Sequence, residues 1–177
     1  MTLLAARTTG AVYLLYFVLV ISAASSIGHV PVAYSNAANL VANVEYVAVS
    51  LLLYRMLKPV SRPVALLAVT ISVIGCVVQS LALFHFVPAQ SSLPIFGLFN
   101  ITIGVLVMRS TFLPRVLGVL MIVSGLGWLM VLSPELVKLA ATYIEILGVA
   151  AEGALMLWLL IMGVNVQRWR EQAQQNA

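Results

Sequence analysis

Three glutamates lie inside long apolar segments of the chain, where a carboxyl group could perform acid–base chemistry. They are Glu45, Glu145 and Glu152, and among the basic residues only Lys138 could reach one of them, Glu145. A carboxylate in hydrocarbon is costly without a counterion, so Glu152 is expected to be protonated, bound to a cation or amine, or hydrated in a cavity. We predict the three glutamates as catalytic candidates. The alternative is a protonated Glu152 that hydrogen-bonds a backbone carbonyl or an asparagine.

The spacing of the glutamates limits how they can cooperate. Glu145, Gly148 and Glu152 follow one another at intervals of three and four, so they share one face of a helix. Along the helix axis the two carboxyl groups are about 10 Å apart and cannot form a dyad. A direct partner must come from another helix, and Glu45 lies at an intermediate depth. The predicted acid–base pair is therefore Glu152 and Glu45.

Other polar side chains occur where lipid would disfavour them. The second apolar segment carries a stripe at intervals of three and four, formed by Asn36, Asn39, Asn43, Tyr46, Ser50 and Tyr54. Such a face must point into the bundle, either to bond a neighbouring helix or to line a polar cavity. Asn100 lies between Gly97 and Gly104 on a seam of small residues that suits close packing. The candidate substrate-binding residues are Asn39, Asn43, Tyr46, Gln79, Asn100 and Trp128.

Metal and cofactor chemistry have little support in the sequence. His29 and His85 could join a carboxylate in a metal site, but no histidine pair has helical ligand spacing, so solvation at the membrane surface is favoured. The single cysteine has no partner for an internal disulfide. We find no glycine-rich phosphate cradle and no serine elbow. The sequence predicts no resident cofactor.

Composition indicates a membrane protein. The 177 residues are 63% hydrophobic and only 8% charged, which would leave a soluble domain without a wettable surface. A spanning helix needs roughly 20 apolar residues. Six segments approach that length: Gly10 to Ile27, Ala38 to Met56, Val64 to Phe86, Leu93 to Met108, Val116 to Leu132 and Thr142 to Val164. The predicted fold is an all-α bundle of six transmembrane helices.

The basic residues predict the orientation of the bundle. Eight of the nine fall on one side if the helices alternate, and only Lys138 falls on the other. By the positive-inside rule both termini are cytoplasmic. Scattered single charges form no stripe that could track nucleic acid. We predict a transmembrane domain over residues 1–166, a polar cytoplasmic tail over residues 167–177, and an apolar cytoplasmic half.

Three blocks of the sequence resemble a known family. The central one runs from Arg109 to Leu120, with Gly125-Leu126-Gly127-Trp128 after it; the others are Glu152 to Gly163 and Leu53 to Arg62. Together they resemble the bacterial membrane family catalogued as domain of unknown function 4386. The resemblance implies a polytopic bacterial membrane protein, and we predict that it lies in the inner (plasma) membrane. It implies no particular chemistry.

Three functions remain open at this stage. The first is an isomerase or cyclase in which Glu152 and Glu45 act as acid and base on a small lipophilic molecule. The second is a proton- or cation-coupled carrier, which the similar build of the two basic, proline-containing hairpin loops favours. The third is a non-catalytic subunit that docks another membrane protein. The sequence does not indicate an oligomeric state.

Overall fold

A computed structural model describes residues 2–25 and 31–176, and the regular structure within them is helical. The helices are α1 (Leu3–Ser25), α2 (Val32–Leu57), α3 (Arg62–Leu83), α4 (Leu93–Arg109), α5 (Arg115–Leu129), α6 (Pro134–Ile161) and α7 (Val166–Gln175). A short 3-10 turn precedes α4 and another follows α5.

The predicted fold class is confirmed. Within the described residues, six helices are long and apolar enough to cross a membrane. Each of α1 to α6 packs on its neighbour in the sequence, and α6 returns to contact α1, so the six form a closed ring. The ring gives the bundle an interior that residues from several helices can share.

Five of the six spanning helices begin earlier than the apolar segments, because a helix includes polar turns that hydropathy does not mark; α4 begins at Leu93, as predicted. The largest difference is in α6, which begins at Pro134, eight residues before the predicted span. Prolines fit the first turn because those positions need no amide hydrogen bond. Five of the seven prolines lie at or next to helix starts: Pro31, Pro63, Pro94, Pro114 and Pro134.

Helices α3 and α6 end before their apolar segments do, and α5 ends at Leu129 with a 3-10 turn completing its segment. His85 and Gly163 adopt positive φ angles of 62° and 71°, which reverse the backbone after α3 and α6. The amide of Phe86 then donates to the carbonyl of Leu81, and Gly163 donates to Trp158, so the terminal carbonyls gain partners. The predicted ends at Phe86 and Val164 were therefore a few residues late.

Helices α4 and α5 pack through glycines, as the predicted small-residue seam requires. A Cβ on Gly104 would lie 2.7 Å from the carbonyl oxygen of Gly118, and one on Gly125 would lie 2.5 Å from that of Gly97. The backbones can approach this closely only because these positions lack side chains. This seam fixes α4 and α5 as one rigid hairpin.

We expect Gly125→Ala to destabilise the bundle by about 1–3 kcal/mol, the usual cost of overpacking. The new methyl group would meet backbone atoms, which cannot turn away as a side chain could. Gly153→Ala is the matched control, because a Cβ there meets nothing within 4 Å. Unfolding of both variants by sodium dodecyl sulfate in mixed micelles measures the difference. Equal stability of the two variants would contradict the close packing of α4 and α5 through these glycines.

The predicted polar tail contains helix α7, which packs across the loops at the end of the bundle that carries both termini, here called the basic end. The indole Nε1 of Trp169 donates to the carbonyl of Met56 at 2.8 Å. The carboxamide of Gln172 accepts from the amide of Thr111 at 3.0 Å and donates to the carbonyl of Arg109 at 3.3 Å. Helix α7 thus ties the last turn of α2 to the α4–α5 loop.

The prediction of an apolar cytoplasmic half was wrong, because the basic end contains buried polar side chains. Gln172 and Ser110 are 8% and 5% exposed at the basic end, and Thr9 is 1% exposed. Gln172 is satisfied by its bonds to Thr111 and Arg109, whereas the hydroxyls of Thr9 and Ser110 donate to the carbonyls of Ala5 and Val107.

Candidate functional site

The carboxylate of Glu152 is the centre of a hydrogen-bond network inside the ring. The hydroxyl of Tyr13 donates to Oε2 at 2.6 Å, and the amide of Asn100 donates to Oε1 at 3.0 Å. The hydroxyl of Tyr46 lies 3.4 Å from both carboxylate oxygens. The Asn100 amide also contacts the hydroxyl of Ser124 at 3.3 Å. Five of the six ring helices therefore contribute one residue each.

These five residues share one depth in the membrane. Each lies nine to eleven residues from the end of its helix at the basic end. At 1.5 Å per residue, that places them about 13–17 Å from this end, near the middle of a hydrocarbon layer of about 30 Å. Glu152 thus lies near mid-membrane depth.

Around the network the walls are aromatic. The ring of Tyr46 packs 4.7 Å from that of Tyr16 and meets Phe96 and Phe99 at 5.4 and 5.5 Å, centroid to centroid. Tyr13 packs on Phe17 at 5.5 Å. Offset and edge-to-face contacts of this kind fix the rings and so hold the tyrosine hydroxyls on the carboxylate.

A cavity of about 270 Å³ extends from Glu152 towards the end opposite the termini. Its lining residues come from α1 to α6: Tyr16, Phe17, Val20, Ile21, Tyr46, Gln79, Leu93, Phe96, Trp128, Gly148, Val149 and Glu152. Ile21 and Val149 are 61% and 59% exposed on the outer surface of the ring. The cavity therefore reaches the lipid-facing surface between α1 and α6. Its size is close to the lower limit for ligand pockets.

Four of the predicted site residues meet at this cavity or its network beside Glu152. Tyr46, Gln79 and Trp128 line it, and Asn100 bonds the carboxylate. Gln79 is held by the hydroxyl of Ser92, which donates to its side-chain oxygen at 2.8 Å.

The other two predicted glutamates are elsewhere. Glu45 is half-buried but is not among the residues that line the cavity, because it precedes Tyr46 and so points about 100° away around α2. Glu145 is exposed on α6, two turns from Glu152. The side chain of Lys138 lies outside the described residues. The two-carboxylate pair predicted from the sequence is therefore not assembled in this structure.

Two asparagines of the α2 stripe make hydrogen bonds that belong to helix packing rather than to the cavity. Asn39 donates to the carbonyl of Ser35 on its own helix at 2.8 Å. Asn43 donates to the hydroxyl of Ser80 on α3 at 3.0 Å, away from the Glu152 cavity. Of these stripe residues, only Tyr46 reaches the hydrogen-bond network of Glu152.

The described residues supply no cluster of ligands for the alternative metal site predicted at His29 and His85. His29 lies outside the described residues, and His85 is exposed after α3. In the part of the chain that the structure describes, no three histidine, cysteine or acidic side chains come together.

Sequence reasoning missed Tyr13, which makes the shortest hydrogen bond to Glu152. Tyrosines are common at membrane surfaces, so one near the amino terminus does not stand out. A signal was nevertheless present. Thr9, Tyr13 and Tyr16 follow at intervals of four and three, the pattern that marked the polar face of α2. Tyr13 and Thr9 are in fact 0% and 1% exposed.

The network can accept Glu152 in either charge state. As arranged, three donors point at the carboxylate, which suits an ionised group because it can only accept. The tyrosine hydroxyls can also accept. The Oδ1 atom of Asn100 has no partner among the described residues, so its amide could turn over and accept from a protonated Glu152. No lysine or arginine belongs to the described network or cavity lining.

The fold and site define a class: a six-helix membrane bundle with a hydrogen-bonded glutamate at the inner end of a small aromatic cavity. A model of the family described as Domain of unknown function (DUF4386) matches residues 89–163. The family resemblance predicted from the sequence is thereby confirmed. The matched segment contains Asn100, Ser124, Trp128 and Glu152, whereas α1 and α2 supply the tyrosines from outside it. Comparisons with curated proteins and with solved structures found no match.

Proposed function

We propose that the protein binds a small lipophilic molecule within the membrane and exchanges a proton with it at Glu152. The observation that carries this proposal is the position of Glu152: at mid-membrane depth, held by three donors, and facing a cavity that reaches the lipid-facing surface. Ionisable residues inside a membrane are costly and usually mark function. A group needed only for packing would not require an adjoining cavity.

An isomerase or cyclase is the enzymatic form that the geometry supports. Glu152 and Tyr46 both line the cavity, and this pair would act in place of the predicted pair of carboxylates. Glu152 would remove a proton from one atom of the substrate while Tyr46 donates its proton to another atom. The protonated Glu152 would then return a proton to the Tyr46 oxygen, which lies 3.4 Å from both carboxylate oxygens. The cycle restores both groups and consumes no cofactor.

Deuterium from the solvent tests this chemistry without a known substrate. Membranes that contain the wild-type protein are incubated in deuterium oxide, and their lipophilic compounds are compared by mass spectrometry. We expect carbon-bound deuterium in at least one compound. Glu152→Gln should abolish this labelling and Tyr46→Phe should reduce it strongly. Glu135→Gln, an exposed glutamate on the same helix, is the matched control and should label normally. Equal labelling with Glu152→Gln would refute the proposed role.

A proton- or cation-coupled carrier is the second candidate, and the depth of Glu152 favours it. A carboxylate midway between the two water phases can exchange protons with either side as helices move. Vesicles that contain the purified protein would then acidify in response to a gradient of the transported solute. Vesicles with Glu152→Gln would not. The third possibility, a non-catalytic partner subunit, has no comparable observation in its favour.

The location of the protein is proposed on the basic residues and the family. The basic end would face the cytoplasm of a bacterial cell, with the bundle in the inner (plasma) membrane and the lipid bilayer as its immediate partner. A reporter that is active only in the periplasm, fused after Ala177, should be inactive. An active fusion would show that the basic end faces the periplasm, opposite to the proposed orientation.

A further inference from the structure

We infer that the molecule bound at Glu152 is an organic cation: a protonated lipophilic amine with a small apolar body. The inference rests on the proposed function, because it names the chemical class of the ligand for the same cavity. Three features carry it, namely the uncompensated carboxylate, the aromatic walls and the apolar exit to lipid.

When Glu152 is ionised, its carboxylate is hydrogen-bonded but its charge is not neutralised by the residues of the network. Tyr13, Tyr46 and Asn100 supply neutral donors, which orient the carboxylate without cancelling its charge. Within the described residues neither the network nor the cavity wall includes a basic side chain. An ionised group at this depth is stabilised most by a cation close to it. The cavity leaves that position to a ligand.

The walls of the cavity suit a cation of a particular kind. Tyr16, Phe17, Tyr46, Phe96 and Trp128 all line it. The faces of aromatic rings carry negative charge density and attract ammonium groups, most strongly where water is excluded. A metal ion would require several oxygen, nitrogen or sulfur ligands, whereas this wall offers few. An ammonium group with apolar substituents satisfies both the carboxylate and the rings.

The rest of the cavity sets the size and the route of entry. Val20, Ile21, Leu93 and Val149 add apolar wall. A volume of about 270 Å³ suits a compact molecule rather than a complete phospholipid. Because the cavity reaches the surface between α1 and α6, a cation with an apolar body can enter from the membrane.

A pair of probes of equal shape tests the inference. Phenyltrimethylammonium carries a permanent positive charge, and tert-butylbenzene is its uncharged carbon isostere. Binding of each probe to the purified full-length protein is followed by the change in tryptophan fluorescence, with Trp128→Phe giving the background from the other two tryptophans. We expect the cation to bind at least roughly tenfold more tightly than the isostere, since carboxylate and rings act together.

Two variants separate the contributions. Glu152→Gln should reduce the preference for the cation to less than roughly threefold, while Glu135→Gln, which removes an exposed charge of the same sign, should leave it unchanged. Phe96→Leu keeps the carboxylate and should weaken binding of the cation more than that of the isostere. The Phe96→Leu result remains informative if Glu152→Gln does not fold.

The outcomes distinguish this inference from the function on which it rests. If tert-butylbenzene binds as tightly as phenyltrimethylammonium, the ligand is not a cation, while the proposed binding function stands. If neither probe binds, both are overturned. A cation preference that persists in Glu152→Gln would remove the carboxylate from recognition and overturn the inference.

Discussion

Replacing Glu152 with leucine should destabilise the bundle by roughly 2 kcal/mol or more, whereas Glu152→Gln should have little effect on stability. Leucine would leave three donors, from Tyr13, Tyr46 and Asn100, without their acceptor in the membrane interior. Hydrogen bonds between membrane helices contribute about 0.6 kcal/mol each, and the unpaired groups that remain add to the loss. Glutamine keeps an oxygen for the tyrosines, and the Asn100 amide can turn over to accept from its amide group.

Unfolding of the wild type and both variants in mixed micelles measures these differences. Glu135→Gln again serves as the control for the loss of one negative charge from α6. The opposing effect is the removal of a buried charge, which favours leucine. A Glu152→Leu variant more stable than the wild type would show that this effect is the larger. The network would then lower the stability of the bundle and would be retained for function.

Gly148→Ala should weaken binding in the cavity while leaving the Glu152 network in place. A Cβ at this position would lie 2.5 Å from Cζ2 of Trp128, so the indole that forms one wall must move. A change of shape in so small a cavity should weaken binding roughly tenfold, the effect of about 1.4 kcal/mol. Quenching of tryptophan fluorescence by bromobenzene, a small apolar probe, measures the affinity.

Gly153→Ala provides the comparison for this experiment. It adds the same methyl group to the same helix, with nothing within 4 Å to meet it. Because both variants gain the same helix propensity, any difference between them reports the cavity wall. Equal quenching in the two variants would mean that bromobenzene does not occupy this cavity.

The architecture was predictable from the sequence because a membrane span depends mainly on the length of an apolar run. Glu152 was predictable for a related reason: a carboxyl group in such a run is unusual whatever surrounds it. The ends of the helices were less predictable. The reversals at His85 and Gly163 depend on backbone conformation, which hydropathy does not encode.

The partners of Glu152 could not be predicted in the same way. They depend on the rotation of each helix about its own axis, which packing of the whole ring decides. On α2 the neighbours Glu45 and Tyr46 differ by about 100° in direction, so only Tyr46 reaches the carboxylate. Helix α7 is a similar case, because its polar sequence gives no sign that Gln172 will bond the α4–α5 loop.

Native mass spectrometry of the purified protein tests the central claim most directly, since it detects a small molecule bound at Glu152 whatever the identity of that molecule. The wild type and Glu135→Gln are expected to carry the same small ligand. Glu152→Gln should lack it, and Gly148→Ala should carry less of it. The same ligand at the same occupancy on Glu152→Gln would contradict the assignment of the cavity as the functional site.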